Sequence, residues 1–174
     1  MMEFKRLPHV DHCMYYQFVT FRTLDSVDGF LQGLFLQDLP NDMKQASVDR
    51  YADSSVSGAY LNDDVLVCLS DFLLANKGGW YELVAFAVMP NHVHVLFKSN
   101  MPLPRVMQFI KGGSAKLINA LMGRSGHFWA KNYYDKSIRD QAHFDCVYRY
   151  IKHNPMVLSE ANQAKRFYGI FEGE

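Results

Sequence analysis

Hydrophobic positions change their spacing several times along the chain, and each change marks a different element. From Met14 to Thr23 (MYYQFVTFRT), aromatic and β-branched residues crowd together, which predicts a strand. Leu24 to Gly58 mixes apolar clusters with Asp, Gly, Pro and Ser and reads as short helices and loops. Asn62-Asp63-Asp64 can cap a helix running to about Ala75, because Val65, Leu66, Leu69, Phe72 and Leu73 fall on one stripe. Lys77-Gly78-Gly79 ends it. Tyr81 to Met89 (YELVAFAVM) reads as a strand buried on both faces near its end, Pro90-Asn91 as a bend, and His92 to Lys98 (HVHVLFK) as a second strand. A long helix begins at Met101-Pro102-Leu103-Pro104 and continues to about Leu121. Gly112-Gly113 in its middle is a local weakness or a point of close approach. Gly123 to Gly126 reads as a loop, and Tyr133 to Ile138 as another strand. Asp140 caps a last helix to about His153, which Pro155 stops. Residues from about 156 to 174 read as a tail on a single domain spanning 1–174. This order suggests an α+β fold, an antiparallel sheet covered by helices.

Composition adds bounds. The 174 residues, 49% hydrophobic, suit one soluble domain. No apolar run is long enough to span a bilayer. Met1-Met2-Glu3-Phe4-Lys5-Arg6 lacks the apolar stretch of a signal peptide, so the expected location is cytoplasmic, with no membrane partner. Cys13, Cys68 and Cys146 are far apart and form no CxxC pair, which favours reduced thiols. The net charge of zero hides a polarity. Residues 1–100 hold seven Lys/Arg against twelve Asp/Glu, whereas 101–158 hold nine against three. A local anionic partner and a solvated helix face both fit that asymmetry.

Chemistry enters with His92-Val93-His94. Alternate strand residues share a face, so both imidazoles can meet one divalent ion. An HxH pair alone is a weak signal, and core or surface histidines explain such a pair more often than a site does. Two histidines leave coordination positions open for waters and a phosphate oxygen. That mixed nitrogen and oxygen set suits magnesium or manganese rather than a closed zinc site. Tyr150 and Asn154 stand one helical turn apart on one face. A tyrosine hydroxyl is a poor nucleophile near neutral pH, and a metal that polarises a phosphate removes much of that handicap. The Asn154 amide oxygen offers itself to the same ion. A core tyrosine and a C-capping asparagine are the alternative. Tyr148 points about 200° away from Tyr150 around the helix, so both cannot face the metal.

These motifs resemble the single-tyrosine HUH transposases, in particular the REP-associated tyrosine transposases of bacteria. The likeness runs through Arg6-Leu7-Pro8-His9, Phe18-Val19-Thr20-Phe21-Arg22 and Val88-Met89-Pro90-Asn91-His92-Val93-His94-Val95-Leu96. It continues through Ile110-Lys111-Gly112, Gly126-His127-Phe128-Trp129, Tyr134-Asp135-Lys136-Ser137-Ile138-Arg139-Asp140 and Tyr150-Ile151-Lys152-His153-Asn154-Pro155. The resemblance implies a ferredoxin-like, RRM-like sheet. It implies His92 and His94 as metal ligands with Asn154 as the third, and Tyr150 attacking single-stranded or hairpin DNA to leave a 5′-phosphotyrosine and a free 3′-OH. Many such transposases carry glutamine where this chain has the shorter Asn154. Relatives act as monomers or homodimers, and both remain open.

Several side chains are candidates for DNA contact. Lys111, Lys116, Arg124 and Arg139 suit phosphates, and Arg22 and Lys98 lie beside the sheet. Trp129, Tyr133 and Tyr134 have packing and base-stacking readings. His153, close to Tyr150 on the helix, is a candidate for modulating it. Two other functions stay in play: a hairpin DNA or RNA binding module without cleavage, and a phosphoesterase that activates water.

Overall fold

A computed structural model describes residues 15–26 and 40–171. Arg6-Leu7-Pro8-His9, Cys13, the Met14 end of the first expected strand and residues 27–39 lie outside the described residues. In chain order the elements are β1 (Tyr16–Arg22), α1 (Asn41–Ser54), α2 (Asp63–Ala75), β2 (Tyr81–Val88), β3 (His92–Ser99), α3 (Leu103–Met122), β4 (Tyr134–Ser137) and α4 (Gln141–His153). A 3-10 turn (Asn154–Val157), the short α5 (Glu160–Gln163) and β5 (Phe167–Gly169) follow. The sheet order is β4-β1-β3-β2-β5, and every neighbouring pair is antiparallel. Its first four strands follow the ferredoxin-like path, with helices between β1 and β2 and between β3 and β4. The expected α+β architecture is therefore the observed one.

The pleat sorts residues onto two buried faces. Val19, Phe21, Val93, Val95 and Phe97 point toward α2 and α3, where they meet Leu69, Leu73, Val106, Ile110 and Ile118. Phe18 and Leu96 point the other way, toward Phe144, Val147 and Ile151 of α4. A bulge between Leu83 and Ala85 shifts the β2 register, so Leu83 and Phe86 serve the first face while Ala85 and Ala87 serve the second. That double burial explains the continuous apolar run of β2. Asp140 caps α4, its Oδ1 accepting the His143 N–H at 2.7 Å.

Two expectations change. Among its described residues, the region read as short helices and loops contains a 14-residue helix, α1, whose buried residues Val48, Asp49 and Ala52 make a thin and partly polar stripe. The region read as a tail supplies β5, which pairs with β2, and the buried Arg166. The Arg166 guanidinium donates to the Leu61 and Val88 carbonyls at 2.9 Å each, tying this segment to the sheet. Cys68 and Cys146 are free thiols. Among the described residues no helix is long and apolar enough to cross a membrane.

Candidate active site

Strand β3 places His92 and His94 on the face that α4 covers. Across the sheet, Arg22 pairs with His92 and Thr20 with His94, while on the other side the small Ala87 lies opposite His94. Tyr134 of β4 pairs with Thr20. The α4 helix crosses above them, and the Tyr150 ring stands edge-on to His94 at 5.2 Å and to Phe18 at 5.9 Å between centroids. The two imidazoles are 4.8 Å apart, nearly perpendicular. One turn beyond Tyr150, the buried Asn154 opens the 3-10 turn. The structure thus brings His92, His94, Tyr150 and Asn154 together. Tyr148 turns away, packed edge-on against Phe167 and Phe171.

Hydrogen bonding determines which nitrogen of His92 is bare. The Asn91 amide nitrogen donates to the carbonyls of Ala52, Ser55 and Ser57 at 2.9, 3.2 and 3.3 Å, so its oxygen must face the other way. That oxygen lies 2.8 Å from His92 Nδ1, which therefore carries the proton and donates. Nε2 is left with a free lone pair. His94 Nδ1 is held by Thr20 Oγ1 at 2.7 Å, again leaving Nε2 unpaired. Burial above all pushes both imidazoles down to about 3, with the neighbouring His94 adding to the effect on His92, so both are neutral at pH 7.

A pair of carboxylates from α1 completes the site, and the sequence reading missed both. Asp49 and Asp53 lie one turn apart and share a helix face. The Tyr150 hydroxyl donates to Asp49 Oδ2 at 2.8 Å, and Gln45 donates to Asp49 Oδ1 at 2.6 Å. Asp53 Oδ1 stands 3.6 Å from His92 Nε2. Burial raises the Asp49 carboxyl above its usual range despite the opposing pull of its polar neighbours. Burial, then the charge of Asp49, raises Asp53 to about 6. Burial, then Asp49 and Asp53, pushes the Tyr150 phenol well above its usual value, against a hydrogen bond from the Asn154 side chain. The i, i+4 acid spacing was visible in the sequence, but it carries meaning only on a helix.

Four buried acceptors meet here without a hydrogen-bond partner: His92 Nε2, His94 Nε2, Asn154 Oδ1 and Asp53 Oδ1. Buried polar atoms are normally paired, and four orphaned acceptors in one place suit a cation. Among the described residues no group of three or more His, Cys, Asp or Glu side chains is gathered to hold an ion, and the Asn154 amide oxygen is an orphaned acceptor alongside the two imidazoles. Nitrogen and neutral oxygen donors with open positions fit magnesium or manganese.

The site opens into a cleft of about 630 Å³ lined by Asp49, Asp53, Tyr150 and Asn154 together with the basic Arg50, Arg149 and His153. Arg50 and Arg149 were not among the expected DNA contacts. Of those that were, Arg22 is half-buried at the site and its charge acts on His92 and Asp49. Lys98 shares the histidine face but lies beyond Leu96, paired with Tyr16 and Glu82. Lys111 is occupied, its ammonium donating to the Ala130 and Lys131 carbonyls at 2.7 and 2.9 Å. Arg124 stacks on Tyr60 and Phe128. Lys116 and Arg139 are exposed. Trp129 corrects the stacking reading: it is 5% exposed, packs on Phe21 and donates its indole N–H to Ser114 at 3.0 Å. A core position with a satisfied donor leaves no ring face for a base.

Comparison with known proteins finds similarities over parts of the chain. An uncharacterised protein of Haemophilus influenzae is 30% identical over 98 residues, a match covering 43% of this chain and 54% of that protein, so the chain spans about half the relative's length. A REP-associated tyrosine transposase solved with a REP hairpin superposes with a TM-score of 0.49 at 15% identity, covering 90% of this chain and 73% of that one. A Deinococcus radiodurans R1 chain superposes with a TM-score of 0.48 at 18% identity, covering 86% and 97%. The family model for IS200-like transposases matches residues 70–154, the stretch that contains His92, His94, Tyr150 and Asn154.

Proposed function

We propose that the domain is a metal-dependent nickase and strand transferase acting on single-stranded DNA next to a hairpin of the repetitive extragenic palindrome type. The observation that carries this reading is the convergence of the orphaned His92, His94 and Asn154 acceptors beside the Tyr150 phenol. His92 Nε2, His94 Nε2 and Asn154 Oδ1 would hold magnesium or manganese. Bound there, the ion would polarise the scissile phosphate and stabilise the charge that develops on it. The remaining roles fall to the chain. Tyr150 Oη attacks phosphorus, the bond to the 3′-oxygen breaks, and the products are a 5′-phosphotyrosine and a 3′-OH. Attack by another 3′-OH reverses the step and joins strands. Arg50 and Arg149 line the cleft where the DNA backbone would pass, and Arg22 adds positive charge beside His92.

The test uses a labelled hairpin oligonucleotide pool with randomised single-stranded flanks, incubated with manganese. Wild-type protein forms a covalent adduct, and Tyr150→Phe forms none. His92→Ala and His94→Ala lose the adduct through loss of the ion. An adduct that persists in Tyr150→Phe makes another residue the nucleophile. Cleavage that persists without any adduct makes the site a water-activating phosphoesterase.

A further inference from the structure

We propose that Asp49 is a catalytic residue, the group that takes the proton from Tyr150 during strand cleavage and returns it during joining. The inference rests on Tyr150 being the nucleophile.

Attack by a neutral phenol leaves a proton on a positively charged phosphoester oxygen unless something removes it. Asp49 Oδ2 is the acceptor of the Tyr150 hydroxyl proton at 2.8 Å, within the reach a general base needs. The carboxylate is held in place, since Gln45 occupies its other oxygen at 2.6 Å. It is 7% exposed, yet it lines the cleft that leads to the phenol. The other acceptors around Tyr150 are poorly placed for this task. His92 and His94 direct their bare Nε2 atoms to the place where the ion would sit. Asn154 has no basic site. Asp53 points toward His92 Nε2, 3.6 Å away. Burial also brings the Asp49 carboxyl above its ordinary range and nearer to working pH, which suits a proton acceptor.

The step balances. The Tyr150 proton passes to Asp49 Oδ2 as the bond from Oη to phosphorus forms. The phosphorus–3′-oxygen bond breaks, and the 3′-oxygen takes a proton from solvent. In joining, the incoming 3′-OH gives its proton to solvent, and protonated Asp49 supplies the proton that Tyr150 needs as leaving group.

Asp49→Asn keeps the side-chain shape and cannot accept the proton. In single-turnover adduct formation with the randomised hairpin pool and manganese, the variant is expected to slow about 10²–10⁴-fold. The same comparison is then made with 2,3,5-trifluorotyrosine installed at position 150. Its more acidic phenol depends less on a base, so the Asp49→Asn defect shrinks at least tenfold. Thermal melting and fluorescence binding of the pool check that the variant folds and holds DNA. Wild-type rates in Asp49→Asn, or a defect of equal size with both phenols, overturn the proposal and leave Asp49 a structural partner. An adduct in Tyr150→Phe, or none in the wild type, overturns the nucleophile assignment and this proposal with it.

Discussion

Asn91 performs two tasks with one amide. Its nitrogen caps the end of α1 through three carbonyls, and its oxygen holds the proton of His92 on Nδ1. Partners of this kind typically change metal affinity about 10–100-fold when removed, because they set the tautomer of the ligand. Asn91→Ala is therefore expected to weaken manganese binding by that factor in a calorimetric titration. It also destabilises the fold by about 1–3 kcal/mol, since buried carbonyls lose their donor. Asn91→Asp separates the two effects. The imidazole keeps an acceptor while the carbonyls face a carboxylate, so stability falls and manganese affinity is largely retained. Equal losses of affinity in both variants would show that Asn91 acts on the metal only through the position of α1. The sequence reading saw Pro90-Asn91 as a bend. The backbone does turn there, but the partners of the amide nitrogen lie more than thirty residues away, and no local pattern reveals them.

At the level of elements, the glycine pair in α3 separates into one residue that matters and one that does not. A Cβ on Gly113 would stand 2.7 Å from the Phe72 ring of α2, whereas one on Gly112 meets nothing. Gly113→Ala is expected to cost about 1–3 kcal/mol in urea denaturation by forcing α2 and α3 apart. Gly112→Ala should be neutral, or stabilise by up to about 1 kcal/mol through helix propensity. Equal effects would mean that the helices do not pack as closely as described. Close approach was one of two readings of these glycines, and the packed ring selects it. The strands and helices with clear periods were legible within a residue or two, as β3, α2 and α4 show. Their side-chain faces were legible too, which is why His92, His94, Tyr150 and Asn154 meet as expected. The α1 helix was not legible, because its buried stripe is short and carries Asp49 in place of an apolar residue. With the helix unseen, the Asp49 and Asp53 spacing had no face to lie on, and the site's two carboxylates went unnoticed. β5 escaped for a related reason: three residues make too short a pattern, and its pairing with β2 is visible only in the assembled sheet.

The whole molecule places opposed titrations in one cleft, and this has a measurable consequence for stability. His92 and His94 are held down at about 3, while imidazoles of the unfolded chain protonate near 6.5. Between those values the unfolded state binds more protons, so the histidines withdraw stability as pH falls below about 6.5. Asp53 runs the other way. Its folded value of about 6 lies above the ordinary 3.8, so the folded state binds its proton first and gains stability as pH falls through 6 toward 3.8. Asp49, also raised, acts in the same direction. From about pH 6 to pH 4 the two sets oppose each other, and the acid sensitivity of two buried histidines is muted. Asp53→Asn removes one of the opposing groups. In chelator-treated protein, its urea-derived stability should fall between pH 7.5 and pH 5 by about 1 kcal/mol more than that of the wild type. An equal fall would make Asp53 an ordinary surface carboxylate, with no hold on the site. A larger fall points to the histidine pair and the α1 carboxylates titrating as one coupled unit.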